Sequence, residues 1–515
     1  MRPIRSRTFL LLSALVAAPA LLAQGPLQRA HPVPSNAGWP GYARDPGHNA
    51  TSPVAAQSLN QIHWSSSLDL QPQYWGTYLL IHYGSPLITP RGTIITSVKT
   101  GASGGFRVEG HHSGTGAQIW MQSTNFVLAP HNWTPSCAPA LRPWNELAIP
   151  AAGGTLLLRS HPDAALGTTQ PVAFYGLANY QANPSAYDAN VMIDTPITSD
   201  AQGNLFFGFV VLGSTPVPLE SGLARISATG VGSWVSAHAA ANDSAIQKVT
   251  YNCAPALSPD GSRVYVTVND QSGSGFGAGY LVALDSHTLA TLGRVRLKDA
   301  HYPGNDAYLP DDGTASPCVG PDGDVYIGVL ENPFPANNDR GWMLHFDALL
   351  TQTRIPGAFG WDDTASIVPA SAVPSYGGPS RYLLLTKYNN YGGVGSGNGQ
   401  NKVALVDPNV SMTDPITGAT VMNEVLTVLG PTPDPNHPGG VTEWCINTAV
   451  IDPIGRCALV NNEDGKLYRW SFVTNTLSQT ITLTPGLGEA YTPTLLGPDG
   501  TVYAVNNATL FAVGN

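Results

Sequence analysis

A phrase of strand, tight turn and strand recurs along this chain, and no other feature constrains its fold as strongly. The clearest copy is Asn252–Leu289, where a strand ends near Ser258, a Pro-Asp-Gly turn follows at 259–261, and two further strands come next. An Asp-Gly pair between two apolar runs is the strongest short-range signal for a β-hairpin. Because one unit repeated at a regular period is typical of repeat architectures, we predict an all-β repeat protein.

Eight copies of this phrase can be followed to the end of the chain. They begin at Gly84, Cys137, Asp194, Asn252, Ala315, Thr364, Asn447 and Tyr491. Their spacing, mostly about 45 to 65 residues, suits a blade of four strands. The sequence therefore predicts an eight-bladed β-propeller of four-stranded antiparallel blades. Seven blades would follow if the weakest copy, the sixth, is an insertion.

The two ends of the chain are predicted to meet. The eighth copy contains three strands before the sequence stops, whereas Ile62–Ser67 near the N-terminus is a strand without a hairpin partner. This strand can complete the last blade as its outer strand. The ring is then closed by an N-terminal strand and has no open sheet edge.

The N-terminus has the pattern of a signal peptide. Arg2, Arg5 and Arg7 precede an apolar run at Phe9–Val16, and small residues follow at Ala17–Ala23. This order of charged, apolar and small residues is typical of secretory signals. We expect a mature chain that is exported to a periplasm or an extracellular space. No other stretch has the roughly 18 apolar residues that a membrane span needs.

Composition and turns divide the rest of the chain. We predict a signal peptide at 1–23, a Pro/Gly-rich lead at 24–58 and a single propeller domain at 59–515. The net charge of −10 and the pI near 5.6 argue against a nucleic-acid partner, which needs a basic surface. The five cysteines lie in different repeats or at different heights, so we predict unpaired, buried thiols and, overall, a monomer.

Several short motifs resemble the PQQ-like, or quinoprotein-like, propeller repeat. They are Gly-Thr-Val-Tyr at 500–503, Leu-Val-Ala-Leu-Asp at 281–285, and two Thr-Gly-x-x-x-Trp endings at 115–120 and 229–234. The resemblance implies the propeller fold. It also implies one of two kinds of function, because the family contains quinone-dependent alcohol and sugar dehydrogenases as well as non-enzymatic relatives such as assembly scaffolds.

The departures from the family favour its non-enzymatic branch. Many quinone-binding alcohol dehydrogenases have two adjacent cysteines beside the cofactor, and no two cysteines are adjacent in this chain. The tryptophan endings are clear in two of the eight copies, at Trp120 and Trp234. We therefore expect no cofactor, neither PQQ nor calcium, and we lean towards a protein that is not an enzyme.

Chemistry is expected in the loops that enter the inner strands, because these loops open onto one face of a propeller around its channel. The candidate ligand-binding residues are His82, His131, Trp133, Tyr187, Tyr251, Trp361, Asp362, Asp363, Glu443, Trp444 and Glu489. Aromatic rings beside carboxylates and imidazoles suit a carbohydrate, whose apolar face stacks while its hydroxyls form hydrogen bonds. The alternative is that these polar loops simply face water.

No metal site can be assigned from the sequence. The paired acids Asp311 and Asp312 could bind a cation together with His131 or His301, since carboxylate and imidazole are common ligands. The glycine-rich segment 392–399 lacks the glycine spacing and the helix that a dinucleotide site needs. No Gly-x-Ser-x-Gly nucleophile motif occurs either.

The sequence thus favours an exported propeller that acts as a binding or scaffold protein. Its ligand face would lie at the channel mouth, and a glycan or a protein would be the partner. The alternative is an enzyme, either a polysaccharide lyase or hydrolase or, with less support, a PQQ-dependent dehydrogenase.

Overall fold

The structure is a computed structural model that describes residues 38–76, 78–79, 83–131, 136–272, 275–311, 313, 315–486 and 492–515. In this part of the chain, eight small antiparallel sheets form a ring and give an eight-bladed β-propeller. The predicted fold is confirmed and the seven-bladed alternative is wrong, because the sixth copy forms a full four-stranded sheet. The predicted signal peptide at 1–23 lies outside the described residues.

Each blade has an inner strand at the channel, then a second, a third and an outer strand. The inner strands of blades 1 to 8 are Leu87–Ile88, Ala140–Arg142, Val191–Ile193 with Thr198–Ser199, Lys248–Val249 with Ala256–Leu257, Cys318–Val319, Ser366–Pro369, Val450–Asp452 and Leu495–Leu496. The second strands are Thr93–Lys99, Glu146–Pro150, Leu205–Val211, Arg263–Asn269, Val325–Val329, Tyr382–Tyr388, Cys457–Asn461 and Val502–Asn506.

The outer half of each blade continues the same order. The third strands are Phe106–His112, Thr155–Arg159, Gly222–Ile226, Gly279–Asp285, Trp342–Phe346, Lys402–Thr413, Lys466–Ser471 and Thr509–Gly514. The outer strands are Gln118–Thr124, Thr169–Ala173, Gly232–Ser236, Thr291–Arg296, Thr420–Leu429, Thr476–Thr482 and, for blade 8, Gln61–Ser67. In blade 5, two isolated bridges, Phe346 with Thr353 and Met343 with Gly357, replace a regular outer strand.

Short elements occur in the connections. A small hairpin pairs Tyr74–Trp75 with Tyr78–Leu79, and a second two-stranded sheet pairs Phe276–Gly277 with the more distant Leu309–Pro310. Helical turns lie at Ala152–Gly154, Leu177–Ala182, Pro184–Asp188, Ala237–Ala241 and Ala370–Ala372. Within the described residues, no helix is long and apolar enough to cross a membrane.

The burial pattern explains why the strands take these places. Tyr382–Tyr388, the second strand of blade 6, is buried at all seven positions, whereas Thr476–Thr482, the outer strand of blade 7, has no buried residue. A strand that packs against neighbouring blades on both faces must be apolar throughout, but an outer strand has a solvent-facing side. The hydrophobic core therefore lies between blades; for example, the hydroxyls of Tyr326 in blade 5 and Tyr382 in blade 6 are 2.7 Å apart.

The ring closes through the chain ends, as predicted. Gln61–Ser67 pairs antiparallel with Thr509–Gly514, from Gln61 opposite Gly514 to Ser67 opposite Thr509. The five cysteines are buried and form no disulfide, which confirms the prediction of unpaired, buried thiols. Burial raises the pKa of the Cys137 thiol to about 12, so it packs as a small apolar group.

The alternation of strand directions gives the channel two different mouths. The upper mouth is the end with the connections between blades and the loops from second to third strands. The lower mouth is the end with the turns from inner to second strands. The predicted Asp-Gly turns occur at both ends, with Gly261, Gly323 and Gly500 in lower turns and Gly465 in an upper one. All four glycines have positive φ, between 71° and 90°, which these tight turns require.

The lead fills the lower mouth. Between Trp39 and Ala50 its backbone carbonyls accept hydrogen bonds of 2.7 to 3.0 Å from equivalent inner-strand N–H groups of six blades. The bonds join Ile88 to Trp39, Leu141 to Pro40, Leu257 to Pro46, Val319 to Gly47, Ile367 to Asn49 and Ile451 to Ala50. An inner strand has no strand neighbour on its channel side, so the lead supplies the missing acceptors.

Tyr42 extends from the lead up the channel. Its hydroxyl donates to Asn447 Oδ1 at 2.7 Å and lies 2.9 Å from Thr364 Oγ1. Burial raises its pKa to about 12. Asn447 and Thr364 come just after Cys445 and Asp363, in connections between blades, and these connections lie at the upper mouth. The tip of Tyr42 therefore reaches the floor of the upper mouth.

Candidate functional site

The candidate site is a pocket of about 360 Å³ in the upper mouth, between blades 5, 6 and 7. We call it the upper pocket. Its aromatic and charged lining residues are Trp361, Tyr391, Asp339, Asp362, Asp434, Glu443, Glu463, Lys387 and His437. Five carboxyl groups therefore face one lysine, and two aromatic rings lie among them.

Two kinds of loop supply these residues. The connections between blades, at 358–365 and 430–449, provide Trp361, Asp362, Asp434, His437 and Glu443. The loops from second to third strands, at 330–341, 389–401 and 462–465, provide Asp339, Tyr391 and Glu463. In an antiparallel blade both kinds of loop lie at the same end, and so they converge on one pocket.

Lys387 is the cation of the upper pocket. It lies near the end of the second strand of blade 6, and its side chain is 2% exposed. Its Nζ is 3.7 Å from Asp362 Oδ2. Burial lowers the pKa of this lysine, but the surrounding carboxylates, with Asp362 first, outweigh burial and raise it. Lys387 thus keeps its charge and offsets part of the negative charge around it.

Two carboxyl groups at this site take up protons near neutral pH. Burial is the main reason that the pKa of Asp339 rises to about 7, and the neighbouring carboxylates of Glu331 and Glu443 raise it further. Burial likewise raises the pKa of Asp363 to about 7, against the opposing effects of Lys387 and of the Thr386 hydroxyl, which donates to Asp363 Oδ2 at 2.5 Å. A group that titrates near pH 7 can donate or accept a proton.

Glu443 and Glu463 form a carboxyl pair on the wall of the upper pocket. Burial raises the pKa of Glu443, and its carboxyl group shares a hydrogen bond with that of Glu463. A hydrogen bond between two carboxyl groups needs one proton, because an ionised carboxylate has no donor. The pair can therefore present both a donor and acceptors to a ligand.

The aromatic side chains provide flat surfaces in the same pocket. Trp361 and Tyr391 are both partly exposed, and the Tyr391 ring lies 6.2 Å from that of Phe359. Behind Trp361 is a chamber of about 10 Å³ that Tyr251 and Asp362 also line. That volume is about the size needed for one water molecule. The pocket therefore combines stacking surfaces with a dense set of hydrogen-bonding groups.

Three of the predicted ligand-binding residues, Trp361, Asp362 and Glu443, lie together in the upper pocket. Asp363 is buried next to Lys387, at 1% exposure, and does not line the pocket itself. Tyr251 lies behind Trp361 in the small chamber. The structure thus brings these predicted residues into one region.

Two other predicted residues, Tyr187 and Trp444, belong to the hydrophobic core. Both side chains are fully buried. Tyr187 stacks on Tyr175, with ring centroids 4.3 Å apart, and Trp444 packs edge-on against Tyr468 at 5.5 Å. Neither offers a surface to a ligand in this structure, because other side chains already cover their rings.

The remaining predicted residues are elsewhere. His131 lies in the connection from blade 1 to blade 2, where its Nδ1 is 2.5 Å from the Ala129 carbonyl oxygen. Asp311, a possible metal ligand, is buried and accepts a 2.6 Å hydrogen bond from Lys248 Nζ. His82, Trp133, Asp312 and Glu489 lie outside the described residues.

Sequence reasoning missed six of the nine charged and aromatic residues that line the upper pocket. The overlooked charged and aromatic residues are Asp339, Lys387, Tyr391, Asp434, His437 and Glu463. Asp339, Tyr391 and Glu463 lie in loops between second and third strands, and the prediction had considered the connections between blades alone. The strand order within each repeat indicates that the loops from second to third strands lie at the same mouth as the connections between blades. This order is therefore the signal that could have identified these loops.

The donor set gives little support to a metal or an acidic quinone. Among the described residues, no three His, Cys, Asp or Glu side chains are arranged to hold a metal ion. PQQ carries carboxylates of its own, and the five carboxyl groups of the upper pocket face it with one lysine and His437 as counter-charges. The lining residues therefore do not fit an acidic quinone.

Comparison with known proteins identifies the fold. No family model and no curated protein matches the sequence. A europium-containing methanol dehydrogenase superposes with a TM-score of 0.52 at 10% identity, over 91% of this chain and 89% of that one. The quinohemoprotein alcohol dehydrogenase from Comamonas testosteroni has a TM-score of 0.51 at 11% identity, over 93% and 81%.

A propeller whose name mentions no dehydrogenase is equally similar in structure. The Dos1 propeller has a TM-score of 0.51 at 10% identity, over 88% of this chain and 95% of that one. Likenesses at this level of identity show the fold alone. The chain is an eight-bladed β-propeller, and its fold resembles those of the two quinoprotein dehydrogenases and of the Dos1 propeller.

Proposed function

We propose that this chain is a binding protein that acts after export and uses the upper pocket to hold a hydroxyl-rich ligand, namely a glycan. The observation that carries this proposal is the pocket of about 360 Å³ in which Trp361 and Tyr391 lie among carboxyl groups and Lys387. Aromatic rings stack on the apolar face of a sugar ring, and carboxylates and lysine form hydrogen bonds with its hydroxyls.

The charge of the pocket narrows the choice of glycan. Its five carboxyl groups outnumber its single lysine, and so an anionic sugar such as a uronate is disfavoured. Neutral sugars and amino sugars are favoured, because both supply donors to carboxylate acceptors. No cofactor is needed for such a function.

A glycan-binding screen tests the proposal. The purified chain would be titrated by isothermal calorimetry with neutral, amino and uronate oligosaccharides. We expect saturable binding of a neutral or amino oligosaccharide and none of the uronates. Ligand at 100 times its Kd would also raise the stability of the folded chain by about 2.7 kcal/mol. Absence of binding to every sugar would refute the proposal.

Matched variants place the binding at the upper pocket. Trp361→Ala removes the stacking surface and should weaken binding at least tenfold, whereas Trp144→Ala, at the lower mouth, should not. Glu443→Gln should also weaken binding, whereas Glu220→Gln, in an upper-mouth loop of blade 3, should leave it unchanged. Equal losses in the pocket variants and their controls would place the ligand elsewhere.

A second candidate, hydrolysis or elimination of a polysaccharide, is favoured by one observation. Burial raises the pKa of Asp339 to about 7 and also raises that of Glu443, and groups that titrate near neutral pH suit acid–base chemistry. Release of reducing ends or unsaturated products from a polysaccharide panel, lost in Asp339→Asn, would establish this activity. Binding without any product would leave the binding protein as the function.

A further inference from the structure

The lower mouth contains a gap in the contacts of the lead. The lead bonds to the inner strands of blades 2 and 4 through Pro40 and Pro46. Between them it forms a turn, with a 3.1 Å hydrogen bond from Arg44 N–H to the Gly41 carbonyl oxygen. Within the described residues, no lead carbonyl bonds to the inner strand of blade 3.

Ser199 is the inner-strand residue of blade 3 at that gap. Its neighbour Asp200 donates its N–H to the Asn204 carbonyl oxygen of the second strand at 3.0 Å. Because N–H groups point to alternate sides along a strand, the Ser199 N–H points towards the channel. Ser199 is partly exposed, and within the described residues no backbone carbonyl of the lead accepts this N–H.

A cavity of about 280 Å³ occupies the gap, and we call it the lower cavity. The partly exposed rings of Pro40, Pro90 and Pro143 give it a largely apolar wall. Pockets with an apolar wall and a few convergent polar groups are typical small-molecule sites. The lower cavity is separate from the upper pocket, with which it shares no lining residue.

The polar groups of the lower cavity favour an anion. Arg44 lines it, and the nearest carboxylate oxygen, Asp45 Oδ2, is 3.8 Å from its Nη1, which is a loose ion pair. The carboxylates of Asp45 and Asp200 are already engaged by their own turns. Asp45 accepts from Gly47 and Asn49, and Asp200 accepts from Gln202 and Asn204. The donors that remain for a ligand are the Arg44 guanidinium and the Ser199 N–H.

We propose that the lower cavity is a second binding site, for a small apolar carboxylate. The carboxylate accepts hydrogen bonds from the Arg44 guanidinium and the Ser199 N–H, in the place that a lead carbonyl takes in six other blades. The apolar body of the ligand packs against the rings of Pro40, Pro90 and Pro143. This site is independent of the glycan proposal, because it involves the opposite mouth.

Calorimetric titration with phenylacetate and hexanoate tests the proposal. We expect saturable binding of at least one of them to the full chain. Phenylacetamide, which has the same shape without the charge, should bind at least about tenfold more weakly, since charge-assisted hydrogen bonds are about twice as strong as neutral ones. If neither carboxylate binds saturably, or if the amide binds as well as the acid, the proposal is overturned.

Two variants and one control locate the site. Arg44→Gln should weaken phenylacetate binding about tenfold or more, while Asp45→Asn, which removes the competing charge, should strengthen it. Arg263→Gln is the matched control, because Arg263 also lies 3.8 Å from a neighbouring carboxylate, that of Asp260, but does not line the cavity. Circular dichroism would verify that each variant is folded. Equal affinity in the parent and in folded Arg44→Gln would overturn the assignment.

Discussion

The two mouths of the channel are built from the same repeat and yet differ in what occupies them. At the lower mouth the chain binds its own lead, and backbone carbonyls make six of the contacts. At the upper mouth the wall is formed by side chains, five of them carboxylic acids, around an open pocket. The lower turns are mostly short, whereas the upper loops are long enough to hold varied residues.

This difference shows how a propeller can divide stability from function. Short turns between inner and second strands leave a regular rim that one extended segment can follow from blade to blade. Long loops carry the chemistry, because they tolerate substitution without disturbing the strands. The lower mouth therefore fixes the ring, and the upper mouth carries the proposed ligand site.

The largest effect should follow removal of the lead. A chain that starts at Pro53 loses six inner-strand hydrogen bonds and the two buried rings of Trp39 and Tyr42. At about 1 kcal/mol for each bond, we expect a loss of about 6 kcal/mol of unfolding free energy or more. Denaturant unfolding measures it, with a chain that starts at Gly38 as the control. Equal stability of the two truncated chains would show that the lower mouth contributes little.

The next largest effect should come from the cation of the upper pocket. Lys387→Met leaves Asp362 and its neighbours without their buried counter-charge, which typically costs about 3–5 kcal/mol. Lys466→Met is the control, because Lys466 pairs with Asp464 but is 31% exposed. Chemical denaturation of both variants gives the comparison. A Lys387 variant as stable as the parent would mean that the carboxyl groups are mostly protonated.

A smaller effect concerns pH. The folded chain holds the Asp363 proton up to a pKa of about 7, whereas an unfolded aspartate releases it near 4. The folded state therefore binds more protons between these values, and this contribution to stability falls as pH rises. From pH 5 to pH 8 the loss is about 2.6 kcal/mol. Asp363→Asn should flatten this slope in thermal unfolding scans, and an unchanged slope would argue against the shift.

The smallest effect links the two mouths. Tyr42→Phe removes the hydroxyl that joins the lead to Asn447 and Thr364. We expect a loss of about 1 kcal/mol, since Thr364 still accepts a hydrogen bond from the Ser316 N–H. Tyr302→Phe, at a residue 43% exposed, should have no measurable effect. A loss well above that value would indicate that Tyr42 also organises the floor of the upper pocket.

The fold was predictable because its signals are local. Asp-Gly turns between apolar runs specify hairpins wherever they occur, and the unpaired strand at Ile62–Ser67 indicated how the ring closes. The structure extends this strand by one residue, to Gln61–Ser67. The path of the lead could not be predicted, because its contacts use backbone carbonyls, which are the same in every residue.

The site was predictable only in part, because sequence does not distinguish a residue on a loop surface from one beneath it. Trp361 and Trp444 both lie in connections between blades, yet the first lines the pocket and the second is covered by Tyr468. Asp339 was missed since it lies outside the loops that had been considered. Which of several mouth loops converge depends on distances between blades, and these require coordinates.

The closure of the ring also determines when the molecule can be completed. Gln61 and Asn515, joined by a 2.7 Å hydrogen bond from the Gln61 side-chain amide to the Asn515 carbonyl oxygen, are 454 positions apart. The strand Gln61–Ser67 is made long before the last blade and must wait for it before the two can pair. Contacts between such distant residues slow folding, because the chain must lose conformational entropy to bring them together before the contacts can offset that loss. Before Gln61–Ser67 pairs with Thr509–Gly514, the edges of the first and last sheets are exposed. Until this pairing forms, other proteins and proteases can reach these unpaired strand edges.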